Sequence, residues 1–210
     1  MHWHAFLVAA ALMALTPGAN QLLSLRNALQ QGAADAIVAL AGRFTAFLLL
    51  VLATAAGLGA LMLASEPVFT AVRWCGVAYL LYLGGRMLYR SRTSGRGRDG
   101  GPEGRDGVRR TRWELTRQEF GVALTNPKAL LLFAAFIPQF TEPAAGPVPA
   151  QLLAFGLAYI AVEFAAALVY AGVGGSLSAF DLTARTRRLF DRATGVAMLT
   201  VAGALALDRR

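Results

Sequence analysis

The sequence predicts an all-α integral membrane protein whose six transmembrane helices form two inverted three-helix repeats. Three observations lead there. The 210 residues are 56% hydrophobic and 15% charged, with mean hydropathy +0.51, too apolar for an ordinary soluble domain. The formal charge of +8 collects in alternate connections between apolar runs. A proline-broken word, Ala14-Leu-Thr-Pro17, recurs as Ala123-Leu-Thr-Asn-Pro127.

Six apolar segments follow in order, at about 3–25, 36–64, 68–89, 118–140, 148–173 and 190–207. Ala5–Leu25, Phe44–Ser65 and Pro143–Val162 carry no charge, each near the roughly 20 residues a span requires. In the first span Pro17 removes a helix hydrogen bond and pushes away the Met13 carbonyl, and Gly18 eases unwinding. Broken backbone in hydrocarbon survives only buried in protein or lining a cavity, so neighbouring helices must close around Pro17. Arg43 lies about seven residues into the second span, close enough to its end to snorkel or to face a cavity. The fourth span repeats the break at Pro127, beside Lys128, and the fifth carries Glu163. The sixth has only 15 uncharged residues, Ala193–Leu207, about 22 Å of helix. Spanning a core of about 30 Å then needs Arg192 and Arg209 to snorkel or the bilayer to thin.

Residues 91–117 divide the chain into a first repeat, 1–90, and a second, 118–210. The Gly95–Gly107 stretch has no apolar period and reads as a flexible, basic Gly/Arg-rich cytoplasmic linker. Arg86–Arg117 holds ten arginines and Arg185–Arg192 four, and the 26–35 connection carries Arg26. The connections near 65–67 and 141–147 hold neither Lys nor Arg. The positive-inside rule places the basic three in the cytoplasm and both termini outside, in the inner (plasma) membrane. Basic residues scattered between spans do not make a nucleic-acid face. The first span is read as retained, since the Met-His-Trp-His start lacks the basic residue of a signal peptide. The lone Cys75 excludes an intrachain disulfide, and His2 and His4 have no third ligand in sequence, so no metal site is expected. No Walker loop or other cofactor motif occurs.

The halves match elsewhere too. Gly76-Val-Ala with Leu80 and Gly84 recurs as Gly195-Val-Ala with Leu199 and Gly203, and Gly57-Leu-Gly59 has a looser counterpart in Gly172-Val-Gly174. Three spans per half means that the second half enters from the opposite side. Inverted repeats with Gly/Pro-interrupted spans at matching positions point to the central site of a secondary transporter. The bland alternative is chance recurrence of short apolar words in an Ala- and Leu-rich chain.

These residues resemble the LysE/RhtB family of amino-acid exporters. The resemblance is carried by Thr16-Pro17-Gly18-Ala19-Asn20, by Arg73-Trp74-Cys-Gly76-Val-Ala78-Tyr79-Leu80-Leu-Tyr-Leu83-Gly84, and by Leu124-Thr-Asn126-Pro127-Lys128 with Phe133 and Ile137-Pro138-Gln139-Phe140. It covers the chain outside the linker and implies outward transport of a small amino acid or derivative. Two positions depart from the pattern: Ala19 stands where a second proline is common, and Arg43 where a small or apolar residue is expected. The second bears on the substrate.

Such a site needs only to bind a zwitterion reversibly. Carbonyls freed by Pro17 and Pro127 can accept from an ammonium group, and the N–H groups opening the following half-helices suit a carboxylate. Asn20 and Asn126 supply neutral partners beside them. Lys128 is expected to pair with Glu163 or anchor a carboxylate, with Glu163 coupling protons or holding the ammonium; a structural ion pair is the alternative. Tyr159, one turn before Glu163, shares its face and can hydrogen-bond to it or simply pack. Glu119 and Arg73, near span ends, read as snorkelling. The small-residue words at Gly84-Gly85, 57/59 and 172/174 permit close contacts within a protomer or across a homodimer. Two rivals are weaker: an intramembrane enzyme lacks titratable groups meeting at one depth, and a metal-ion exporter wants more intramembrane carboxylates than Glu163.

Overall fold

A computed structural model of the chain describes residues 3–57, 66–93, 110–179 and 184–207. Among these residues the regular structure is all helical. In order come α1 (Trp3–Leu15), α2 (Ala19–Gln31), α3 (Ala33–Ala55), α4 (Glu66–Thr93), α5 (Arg112–Thr125), α6 (Pro127–Leu131), α7 (Val148–Ala179) and α8 (Ala184–Leu207). A π turn, Leu132–Phe136, and a 3-10 turn, Ile137–Phe140, prolong α6. Pro138 explains that change of pitch, because it cannot donate to the carbonyl four residues back and the ladder must widen before it.

α3 and residues Val148–Ser178 of α7 are each long and apolar enough to cross a membrane. The pairs α1 with α2, and α5 with Pro127–Phe140, pass the same test as bent spans, at 52° and 53°. The central 94–109 part of the linker, His2, Gly59 and Arg209 lie outside the described residues.

Several boundaries differ from the sequence expectation. The 26–35 connection is mostly helix: α2 continues to Gln31 with Arg26 buried, and the chain turns at Gly32 alone. Gly32 has φ +94°, a conformation that a side chain resists, so the turn needs glycine there. α5 opens at Arg112, inside the stretch assigned to the linker, because Thr111 and Glu114 form a capping box: the Glu114 amide donates to Thr111 Oγ1 at 3.2 Å and the Thr111 amide to Glu114 Oε2 at 2.9 Å. α8 starts at Ala184 and runs for 24 residues, about 36 Å, but the added first turns carry Arg185, Arg187, Arg188, Asp191 and Arg192, so the uncharged part stays at 15 residues and α8 is not among the helices long and apolar enough to cross a membrane.

Small residues set the helix crossings. Gly42 of α3 lies so close to the Thr116 carbonyl of α5 that no Cβ fits between them. Gly84 of α4 and Gly195 of α8 each face the other's carbonyl oxygen. The main core gathers α1, α3, the α5–α6 strand of helix and α7 around Phe6, Phe47, Phe133, Phe155 and Tyr159.

Candidate functional site

The first helical break spans Thr16-Pro17-Gly18. Pro17 has no N–H for the Met13 carbonyl, and the carbonyls just before the break are each met by a side-chain donor. Lys128 Nζ donates to Met13 O at 2.5 Å and to Thr16 O at 2.9 Å. Gln21 Nε2 donates to Ala14 O at 3.0 Å, and the Tyr170 hydroxyl to Leu15 O at 3.0 Å. After the break, Gly18 sits at the N-cap of α2 and no side chain caps that end. The leading amides of α2 therefore open beside the Lys128 ammonium, which would lie 4.0 Å from a Cβ on Gly18.

The second break lies between Thr125 and Pro127. Asn126 caps the new helix, its Oδ1 accepting from the Lys128 amide at 3.0 Å, while Pro127 takes the first helical position, where a missing N–H costs nothing. The other end of the same amide crosses to the first break, Asn126 Nδ2 donating to Asn20 Oδ1 at 3.2 Å. The two interrupted backbones are thus joined side chain to side chain, both asparagines buried.

Around this junction lies a network of buried charges. Arg43 is 0% exposed and donates through Nε (3.1 Å) and Nη2 (2.7 Å) to Glu119 Oε2, through Nη2 to Ser24 Oγ at 2.5 Å, and to the Asn20 carbonyl. Glu119, also 0% exposed, accepts from Ser24 at 3.0 Å and from Asn27 at 3.4 Å. On its other side Arg43 Nη1 faces Glu163 Oε1 at 3.6 Å and has no hydrogen-bond partner. Glu163 accepts from Gln21 Nε2 at 2.9 Å and from the Tyr159 hydroxyl at 3.2 Å. Five helices contribute: α2, α3, α5, α6 and α7.

The structure thus gathers Pro17, Gly18, Asn20, Arg43, Asn126, Pro127, Lys128, Tyr159 and Glu163 around one junction. Of the two roles open to Arg43 it selects the inward one, since Glu119, Ser24 and the Asn20 carbonyl hold its guanidinium inside, and it corrects two expectations. Glu119 does not snorkel, because its carboxylate is that guanidinium's partner. Lys128 is within ion-pair distance of neither carboxylate: its ammonium takes the Met13 and Thr16 carbonyls that the sequence reading offered to an incoming ammonium group. Sequence reasoning passed over Gln21, Ser24, Asn27 and Tyr170. A signal was present, because Asn20, Ser24 and Asn27 fall at i, i+4 and i+7, a polar stripe that a helix in lipid must turn inward.

Toward the N-terminal end of α1, aromatic side chains close over the network. Phe155 packs against Trp3 (centroids 4.3 Å) and Phe6 (4.8 Å), and Phe6 against Phe140 (5.2 Å). One layer further in, Phe133 lies 5.4 Å from Phe47 and 5.7 Å from Tyr159. Among the described residues no group of three or more His, Cys, Asp or Glu gathers as a metal site would.

The chain is 28% identical over 216 residues to a homoserine/homoserine lactone efflux protein of Salmonella typhimurium, covering 99% of this chain and 97% of that one. It is 32% identical over 142 residues to a leucine efflux protein of Klebsiella pneumoniae, covering 68% and 64%. An uncharacterized membrane protein of Vibrio cholerae is 27% identical over 192 residues, 90% of each chain. No solved structure matches. The family model for LysE type translocators matches residues 11–209, so that this all-helical membrane protein with two broken, interlocked helices belongs to the LysE type translocator family.

Proposed function

We propose that the protein exports a small amino acid or amino-acid derivative by alternating access, in exchange for protons. The observation that carries the reading is the Asn126–Asn20 hydrogen bond, which ties the two proline breaks into one centre. Secondary transporters build their sites where interrupted helices meet, because half-helix ends present unsatisfied backbone groups at mid-depth. The efflux relatives support the direction and the substrate class. They are transporters by name, in keeping with a protein that binds and moves its substrate without transforming it.

The parts suit a zwitterion. A substrate carboxylate fits the uncapped start of α2 beside Lys128, where backbone N–H groups and an ammonium act together. The substrate's ammonium goes to Glu163, displacing the Gln21 amide or the loosely held edge of Arg43. Protonation of Glu163 cancels its attraction for that ammonium and releases it, which is how proton uptake drives export. The aromatic layer from Trp3 to Phe155 serves as the gate on the side where α1 begins. In this reading the chain forms six spans in two inverted halves, joined by the basic cytoplasmic stretch between the end of α4 at Thr93 and the start of α5 at Arg112. Both termini lie outside the inner membrane, and a homodimer in the lipid is compatible with its small-residue faces.

Efflux from cells or proteoliposomes expressing Asn126→Ala or Pro127→Ala tests the reading. Export of a homoserine- or leucine-type substrate should fall to background while the protein still inserts. Normal export from either inserted variant overturns a site at the junction.

A further inference from the structure

A cavity of about 820 Å³ lies between α3, α4 and α5, apart from the buried network. Its wall carries three guanidinium groups, Arg86 on α4, Arg117 on α5 and Arg110 just before α5, together with Tyr82 and Trp113. The carboxylate in the lining, Glu114, is engaged in the capping box through Oε2. Arg110 is held in place: its amide donates to Gln31 Oε1 at 2.8 Å, Gln31 Nε2 donates to its carbonyl at 2.8 Å, and its guanidinium donates to Gln118. Tyr82 and Trp113 are 61% and 67% exposed, and amphipathic rings of this kind favour a membrane–water interface.

The inner wall is closed. Gly42 lies against the Thr116 carbonyl and Gly121 against the Tyr79 hydroxyl, with no room for a Cβ at either point. Behind that wall Arg43 and Glu119 have no exposed surface. The cavity therefore opens toward the surroundings of the bundle and does not lead to the charged centre. Its volume also exceeds what one small zwitterion fills and falls in the range that takes a larger amphiphile.

We infer that this cavity binds the headgroup of an anionic phospholipid, its phosphodiester held by Arg86 and Arg117, with the fixed charge of Arg110 behind them, and its glycerol end packed against Tyr82 and Trp113. Guanidinium groups match phosphate oxygens bidentately, and basic pockets between transmembrane helices are where anionic headgroups bind. Zwitterionic lipid offers the same phosphate with a compensating cation, which three arginines repel.

Native mass spectrometry of the full-length protein in detergent, titrated separately with phosphatidylglycerol and phosphatidylcholine, tests this. Wild type should retain phosphatidylglycerol at least about tenfold more tightly. Arg86→Gln/Arg117→Gln should weaken that binding by roughly 30-fold, about fivefold per charge, while Arg86→Lys/Arg117→Lys keeps the preference. Where the double glutamine variant fails to fold, each single variant should show its fivefold loss. Equal retention of the two lipids, or unchanged phosphatidylglycerol binding in the glutamine variants, overturns the inference. Displacement of the lipid by millimolar inorganic phosphate also overturns it, by showing a site for a soluble anion.

Discussion

Removing the charge of Glu119 probes the network most directly. Glu119→Gln keeps the shape but only one oxygen, and since Ser24 donates to Oε1 and Arg43 to Oε2, the change removes the charge and one of the two acceptors together. Two opposite charges about 4 Å apart attract by about 4 kcal/mol at an effective dielectric of 20. Breaking a buried pair by removing one partner costs about 3–5 kcal/mol. Glu163, 3.6 Å from Arg43 Nη1, offsets part of the loss, so the lower end, about 3 kcal/mol, is expected. In a chain of this length that is a fall of about 6–12 °C in Tm. Thermal unfolding in detergent, followed by circular dichroism, measures it. The double variant Arg43→Met/Glu119→Leu should recover part of the loss, because an apolar pair replaces a buried ion pair at little cost, but not all of it, since Glu163 and the Asn20 carbonyl lose the guanidinium. A Glu119→Gln protein within about 0.5 kcal/mol of wild type, or single and double variants that simply add, would refute the pairing as the source of stability.

Three further outcomes follow from the same geometry. Glu163→Gln should lower export, since it removes the carboxylate that takes the ammonium, and leave what remains independent of external pH, while wild-type export slows as the outside is made alkaline; a retained pH profile in proteoliposomes assigns the proton elsewhere. Lys128→Met should abolish export and also destabilise the fold, since it strips the donor from the Met13 and Thr16 carbonyls at about 1–3 kcal/mol for each group left unsatisfied; efflux and melting of the purified variant report the two effects separately. Gly42→Ala should cost at least about 1–3 kcal/mol, because its methyl group meets the Thr116 backbone carbonyl and α3 must move from α5; a melting temperature equal to wild type would contradict that crossing.

Much of the centre was legible because proline and charge are conspicuous in an apolar chain. Pro17, Pro127, Lys128 and Glu163 each break a rule of lipid-embedded helices, and all of them lie at one junction. What escaped was carried by residues that break no rule alone. Ser24, Asn27 and Gln21 look ordinary one at a time, and only their shared face on α2 demands partners. Glu119 was misjudged because α5 begins at the capping box, six residues before the apolar run, which carries the glutamate inward from the expected span end. Arg43 was ambiguous for the opposite reason, since its distance from the helix end fits snorkelling and only the opposing Glu119 decides. The same blindness to local chemistry hid the Gly32 turn, as helix α2 runs straight through residues that charge alone assigned to a loop.

Arg43, Lys128, Glu119 and Glu163 add two positive charges to two negative ones within one junction. With both carboxylates ionised the cluster carries no net charge, so a transmembrane voltage exerts no net force on its displacement. A zwitterionic passenger leaves that sum at zero. A proton taken up by Glu163 does not, and each unit charge moved across the full field is worth about 2.3 kcal/mol per 100 mV. Electrical sensitivity in this protein would therefore enter with the proton alone, and the empty, ionised carrier would reorient without feeling the membrane potential.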